Sequence, residues 1–216
     1  MIALLLMALG CFGIAGYSIY KYRNEQNIAN NAIDDFRSKI QNKNDPLSTD
    51  KPVDDQSDLI NNENHEDQND TDDNSLNKTP LPETIGVMSI PKISLNAPIA
   101  LGTDEYTLKT HIGEYSTLDP LESEYGTTAF AAHSSVGTCG HCYFNRLEEL
   151  EEGDRIYIEW NDGNTYEFSV YYVVAYEDKN QNYYYDDDEG QKTITLTTCT
   201  DGDPDVRTIV MARKEN

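Results

Sequence analysis

Positive charge is scarce in this chain. Sixteen Lys and Arg face 39 Asp and Glu, a formal net charge of −23. Nucleic acid and anionic membrane surfaces are therefore poor partners; the acidic charge suits cationic groups such as amine-bearing peptides, but a plain solubility role is the favoured reading. Cysteine is scarce too: Cys11, Cys139, Cys142 and Cys199. Cys11 lies in an apolar N-terminal run, which leaves an odd number and excludes a fully paired disulfide framework in the globular part. One thiol is expected to stay free, and we assign that place to Cys199. No internal repeat is present. Aromatics are missing from residues 44–83, and charges from residues 1–20.

Those last two absences set the domain plan. Residues 1–20 are long enough to cross a bilayer as a helix. No basic residue precedes the run, as a cleaved signal peptide would need. We expect a transmembrane anchor over 1–23. Lys21 and Arg23 follow it, and by the positive-inside rule they favour a cytoplasmic location for that end. Ile28, Ala32, Ile33, Phe36 and Ile40 fall near helical spacing, so a short stalk helix competes with a frayed juxtamembrane segment over 24–43. Residues 44–83 are rich in Asn, Asp, Ser and Thr, with few apolar residues. They cannot bury enough surface to offset chain entropy, and a disordered acidic linker is expected there.

From residue 84 the pattern changes. β-Branched or apolar runs at 85–90, 98–101, 127–132, 155–160, 166–175, 192–198 and 207–213 alternate with turn residues. This predicts an all-β domain with short helices over 84–216, a closed barrel or sandwich. Helical pieces are expected over 104–110, capped by Asp104, and over 143–150.

The run Thr193-Ile194-Thr195-Leu196-Thr197-Thr198-Cys199 ends in a cysteine, a Gly/Pro turn follows, and the next run opens on Arg207. Adjacent antiparallel strands would set a thiol beside a fixed cation, which favours the thiolate. A base is still needed, and His133 ends the apolar run Ala129-Phe130-Ala131-Ala132. Singly, each of these residues has a bland reading as core cysteine, structural histidine or surface arginine. Together they carry a resemblance. Thr195-Leu196-Thr197-Thr198-Cys199 with Arg207 resembles the TLxTC…R signature of sortases. Ala131-Ala132-His133 resembles their histidine motif, with Ala132 where glycine is usual. Gly86-Val87-Met88-Ser89-Ile90-Pro91-Lys92-Ile93 resembles the family's opening strands.

The resemblance implies a sortase-like barrel of about eight strands and a Gram-positive surface transpeptidase. Its catalytic domain would be extracellular on a single-pass anchor. Cys199 would attack the Thr–Gly bond of an LPxTG-like sorting signal and form a thioester. An amine of peptidoglycan or of a pilin would then resolve it. His133 would be the general acid and base, and Arg207 would bind the oxyanion or position the peptide. Thr197, Thr198, Ala132 and Ser134 are the expected substrate-binding neighbours. The short span between the sixth and seventh runs lacks room for the long helix of class B enzymes, and a class A- or D-like type is favoured. A hydrolytic cysteine peptidase on the same scaffold, or a thiol–disulfide exchange protein using Cys139 and Cys142, is the alternative.

Two further motifs stand apart. Cys139-Gly140-His141-Cys142 has the C-x-x-C spacing of thiol–disulfide exchange proteins. A local disulfide, a metal site using Cys139, Cys142 and a histidine such as His141, whose ligand set is incomplete as it stands, and two spare thiols all remain open. Asp178, Asn180, Asn182 and Glu189 fit positions one, three, five and twelve of a calcium loop, but Tyr183 occupies the sixth position, where the template has glycine. Calcium is the one cofactor the sequence suggests, and none is required by the chemistry. His65 falls in the linker, and His111 is expected on the domain surface.

Overall fold

The computed structural model describes residues 2–44, 80–134, 141–178, 190–200 and 203–215; side chains at 2–15, 18, 44, 175–178, 199–200 and 203–205 are not described. Eight strands close into a barrel in the order β1-β2-β3-β4-β7-β8-β6-β5. They are β1 Gly86–Ile90, β2 Leu95–Leu101, β3 Ile112–Glu114, β4 Gly126–Ala131, β5 Arg155–Trp160, β6 Thr165–Asp178, β7 Lys192–Thr200 and β8 Asp203–Lys214. The seven expected runs each became a strand. The eighth, β3, was not anticipated.

Alternation decides which side chains enter the barrel. In β5, Ile156, Ile158 and Trp160 are buried while Arg155 is exposed. With Met88, Ile99, Phe130, Phe168, Leu196 and Val210 they form one continuous core. β3 lies close to the turn after β2 because Gly113 has no side chain; a β-carbon there would run into the Gly102 carbonyl.

The short helices differ from expectation. Asp104 does cap α2 (Glu105–Leu108), accepting from the Tyr106 and Thr107 amides. The helix expected over 143–150 is instead a 3₁₀ turn, Leu147–Glu149. Phe144, Leu147 and Leu150 are all buried, a spacing of three that suits three residues per turn.

The N-terminal segment is helical, as the apolar spacing over 24–43 implied. One helix, α1, runs from Ile2 to Asn44. Its second half lies on the barrel. Ala29, Ile33 and Phe36 are buried, and Ile33 and Phe36 pack on Val87, an outward residue of β1 that α1 covers. Arg37 forks onto Glu159, with Nε 2.8 Å from Oε2. Among the described residues no helix is long and apolar enough to cross a membrane. Most side chains of the expected anchor, at 1–15 and 18, lie outside that set.

Candidate active site

Backbone pairing brings the three expected catalytic residues to one end of three neighbouring strands. β7 and β8 are antiparallel, and Cys199 is the direct cross-strand partner of Arg207. β4 and β7 are parallel, with Phe130 opposite Leu196 and Ala131 opposite Thr197. His133 and Cys199 each lie two residues beyond that last pair. Continuing the register sets them abreast, and the Ala132 amide still reaches the Thr197 carbonyl at 3.4 Å. Cys199 is placed here by its backbone alone.

His133 is half-buried, and its carbonyl accepts from the Phe144 amide at 3.1 Å. Arg207 is half-buried as well, and its Nη1 donates to the Val206 carbonyl at 3.0 Å. The four residues expected to bind substrate are all buried: Ala132, Ser134, Thr197 and Thr198. The Thr198 hydroxyl donates to the Ala132 carbonyl at 2.8 Å. It ties the strand that leads to His133 to the strand that leads to Cys199. Among the described residues the buried Thr197 hydroxyl has no partner.

The segment after His133 is anchored in three places. Cys142 is buried and disulfide-bonded. Its expected partner, Cys139, lies outside the described residues. The Tyr143 hydroxyl donates to the Thr110 carbonyl at 3.0 Å. His141 is buried with Nδ1 2.9 Å from the Lys109 carbonyl and Nε2 2.9 Å from the Glu25 carbonyl of α1. Carbonyls only accept, so both ring nitrogens donate only when the ring carries two protons.

His111 is not on the surface as expected. It is 1 % exposed, between the Thr84 hydroxyl at 3.1 Å and the Thr110 hydroxyl at 2.8 Å. Burial, with a smaller contribution from the His141 charge, pushes it down to about 4. Two hydroxyl partners let the neutral ring be buried without an ion pair, and nothing in the local sequence announces that. Of the calcium-loop candidates, Asn180, Asn182 and Glu189 lie outside the described residues, as does the side chain of Asp178. So does His65. Among the described residues no cluster of His, Cys, Asp or Glu is arranged to hold a metal.

The family model described as a sortase domain matches residues 88–215. The chain belongs to the sortase family. Among curated relatives, it is 30% identical over 132 residues to Sortase D of Bacillus subtilis strain 168, covering 59% of this chain and 62% of that one. It is 26% identical over 133 residues to Sortase A of Streptococcus agalactiae serotype III strain NEM316, covering 61% and 53%. The chain thus spans only about half to three-fifths of the length of these sortases. Solved structures agree. Sortase A from Corynebacterium diphtheriae superimposes with a TM-score of 0.56 at 26% identity, covering 64% of this chain and 63% of that one. Sortase C1 of GBS Pilus Island 1 gives 0.55 at 26% identity, covering 62% and 65%.

Proposed function

We propose that this sortase is a membrane-anchored cysteine transpeptidase acting on LPxTG-like sorting signals at a Gram-positive cell surface. The observation that carries the reading is the register: Cys199 opposite Arg207, with His133 two residues beyond the pair between Ala131 and Thr197. Within it the Cys199 thiolate attacks the Thr carbonyl carbon, and the tetrahedral oxyanion collects hydrogen bonds from the Arg207 guanidinium. His133 protonates the leaving amine, and the thioester remains on Cys199. The same imidazole then takes a proton from the incoming amine of peptidoglycan or of a pilin. Residues 1–23 supply the single-pass anchor, with the catalytic domain outside. Only residues 179–191 separate β6 from β7, which supports a class A- or D-like type without the long helix of class B.

Mass spectrometry of the protein with a sorting-signal peptide tests this. A thioester on Cys199 that added amine converts to a transpeptidation product is expected, and Cys199→Ala should abolish both. A product formed only with water would favour the hydrolytic peptidase. Disulfide exchange at Cys142 has the weaker support, since that sulfur is buried. Turnover that disappears when Cys139 and Cys142 become serine, yet persists in Cys199→Ala, would reverse the ranking.

A further inference from the structure

The helix that would anchor this protein does not lead into a flexible stalk. α1 is continuous from Ile2 to Asn44, and the barrel takes hold of it at once. Tyr17, Ile19, Tyr20 and Tyr22 are all more than half exposed. At about 100° per residue they point to all sides of the helix, not to one face. Aromatic side chains spread around a helix directly after an uncharged run suit the headgroup layer of a bilayer. One turn later the surroundings change. The Glu25 carbonyl faces His141, and Ala29, Ile33 and Phe36 are covered by the barrel. Arg37 holds Glu159, and the Lys43 ammonium reaches the Asn161 carbonyl at 3.5 Å. Contact thus runs along about 27 Å of helix, from Tyr22 to Ile40.

The acidic segment cannot act as the spacer between anchor and barrel. Its flanks are both attached to the barrel: Lys43 at Asn161, and Pro80, whose carbonyl accepts from the Tyr106 hydroxyl. Whatever holds α1 in a membrane therefore holds the barrel directly.

Strand directions say which pole faces that membrane. β2 is antiparallel to β1, β3 is parallel to β2, β4 is antiparallel to β3, and β7 is parallel to β4. β1, β4 and β7 thus run the same way and share one pole at their C-terminal ends. That pole carries Ile90, His133 and Cys199. It is also the end beside Tyr22 and Gln26, which line a seam of about 200 Å³ with residues 93–96 and with Cys142 and Tyr143. The far pole carries Trp160, Gly126 and Lys192, beside Phe36 and Ile40.

We infer that the barrel is mounted rigidly on the bilayer surface by α1, with the pole of His133 and Cys199 turned toward the lipid headgroups and residues 93–96 closest to them. The inference rests on the anchored reading above. The net charge of −23 does not oppose it, because an inserted apolar helix, and not electrostatic adsorption, supplies the attachment. A substrate peptide would then be engaged within a few residues' reach of the membrane.

The test uses the full chain in phosphatidylcholine–phosphatidylglycerol liposomes containing a nickel-chelating lipid. A nitroxide is attached through an introduced ketone-bearing residue at the exposed positions Asn96 or Tyr125, which lie at the two poles. Nickel-induced relaxation should be several-fold stronger at Asn96 than at Tyr125. Phe36→Asp combined with Arg37→Glu, which frees α1 from the barrel, should make the two positions alike. Flotation with the liposomes but equal relaxation at both sites in the unaltered chain would overturn the rigid mount and leave the anchor standing. Stronger relaxation at Tyr125 would overturn the orientation. Failure to float with the liposomes would remove the anchored reading and the mount with it.

Discussion

Two neighbouring threonines on β7 are buried in opposite circumstances. The Thr198 hydroxyl has the Ala132 carbonyl as its acceptor, while the Thr197 hydroxyl has no partner among the described residues. Replacing a hydroxyl by a methyl of the same shape removes a bond in the first case and an unmet desolvation cost in the second. Thr198→Val should therefore lose about 1–2 kcal/mol, and Thr197→Val should be neutral or gain up to about 1 kcal/mol. Denaturant unfolding of the two variants decides it; a larger loss for Thr197→Val would mean the hydroxyl assignments are reversed. Arg207 poses a question of shape. A lysine keeps the charge but not the planar fork. Arg207→Lys should lower kcat by about 10²-fold, the scale of losing an oxyanion donor, while the thioester on Cys199 stays detectable by mass spectrometry. A variant with near-normal kcat would leave Arg207 only a charge-balancing part.

Among the elements, α1 is held to the barrel by an apolar contact that one substitution can test. Phe36 is 4 % exposed and packs with Ile33 on Val87. Phe36→Ala should weaken the docking of α1 by about 3 kcal/mol, roughly a hundredfold more open helix. Trypsin cleavage at Lys39 and Lys43 should accelerate accordingly if opening and closing outpace cleavage. Unchanged cleavage would show that the remaining contacts of α1, among them the Arg37–Glu159 pair and the bond from His141 to the Glu25 carbonyl, hold the helix without Phe36. How far each element was legible follows from its physics. The seven strands could be read because β-branched or apolar runs bounded by turn residues are a local signal. β3 could not: Ile112, Gly113 and Glu114 show no period, and the strand exists only because β2 and β4 flank it. The expected helix after Cys142 failed because apolar residues three apart suit a 3₁₀ turn as well as an α-helix. The apolar stripe of α1 was visible in the sequence, but its acceptor surface was not, since Val87 reads as one more core residue of a strand. The three residues of the candidate site were legible by their strand-end positions, whereas the bond from Thr198 to Ala132 and the clamp at His141 depend on contacts between distant segments.

At the scale of the whole molecule, the charges enclosed in the barrel wall govern how stability should vary with pH. Glu114 is 8 % exposed, and its carboxyl is pushed up to about 7 by burial first and by the Glu122 carboxylate second. Lys192 is 2 % exposed, donates to the Pro120 carbonyl and the Ser123 hydroxyl, and is pushed down to about 8 by burial. An unfolded glutamate releases its proton near pH 4.5. From there to about 7 the folded chain binds a proton at Glu114 that the unfolded chain has lost, so rising pH disfavours folding across that window. His111 opposes it. Held neutral down to about 4, it gives the folded state stability that grows with pH between about 4 and 6.5. Lys192 acts in the same sense as His111 at higher pH: between about 8 and 10.5 the unfolded chain keeps a proton the folded chain has given up. The total profile mixes these slopes, but the difference between the unaltered protein and Glu114→Gln isolates the carboxyl. That difference should grow in favour of the variant by roughly 1–2 kcal/mol from pH 4.5 to pH 7.5, discounted from the full shift because the carboxyl keeps some hydration. It should then stay level to pH 8. Denaturant unfolding of both proteins at half-unit steps measures it. A difference that does not change with pH would mean that Glu114 titrates as it does in the unfolded chain.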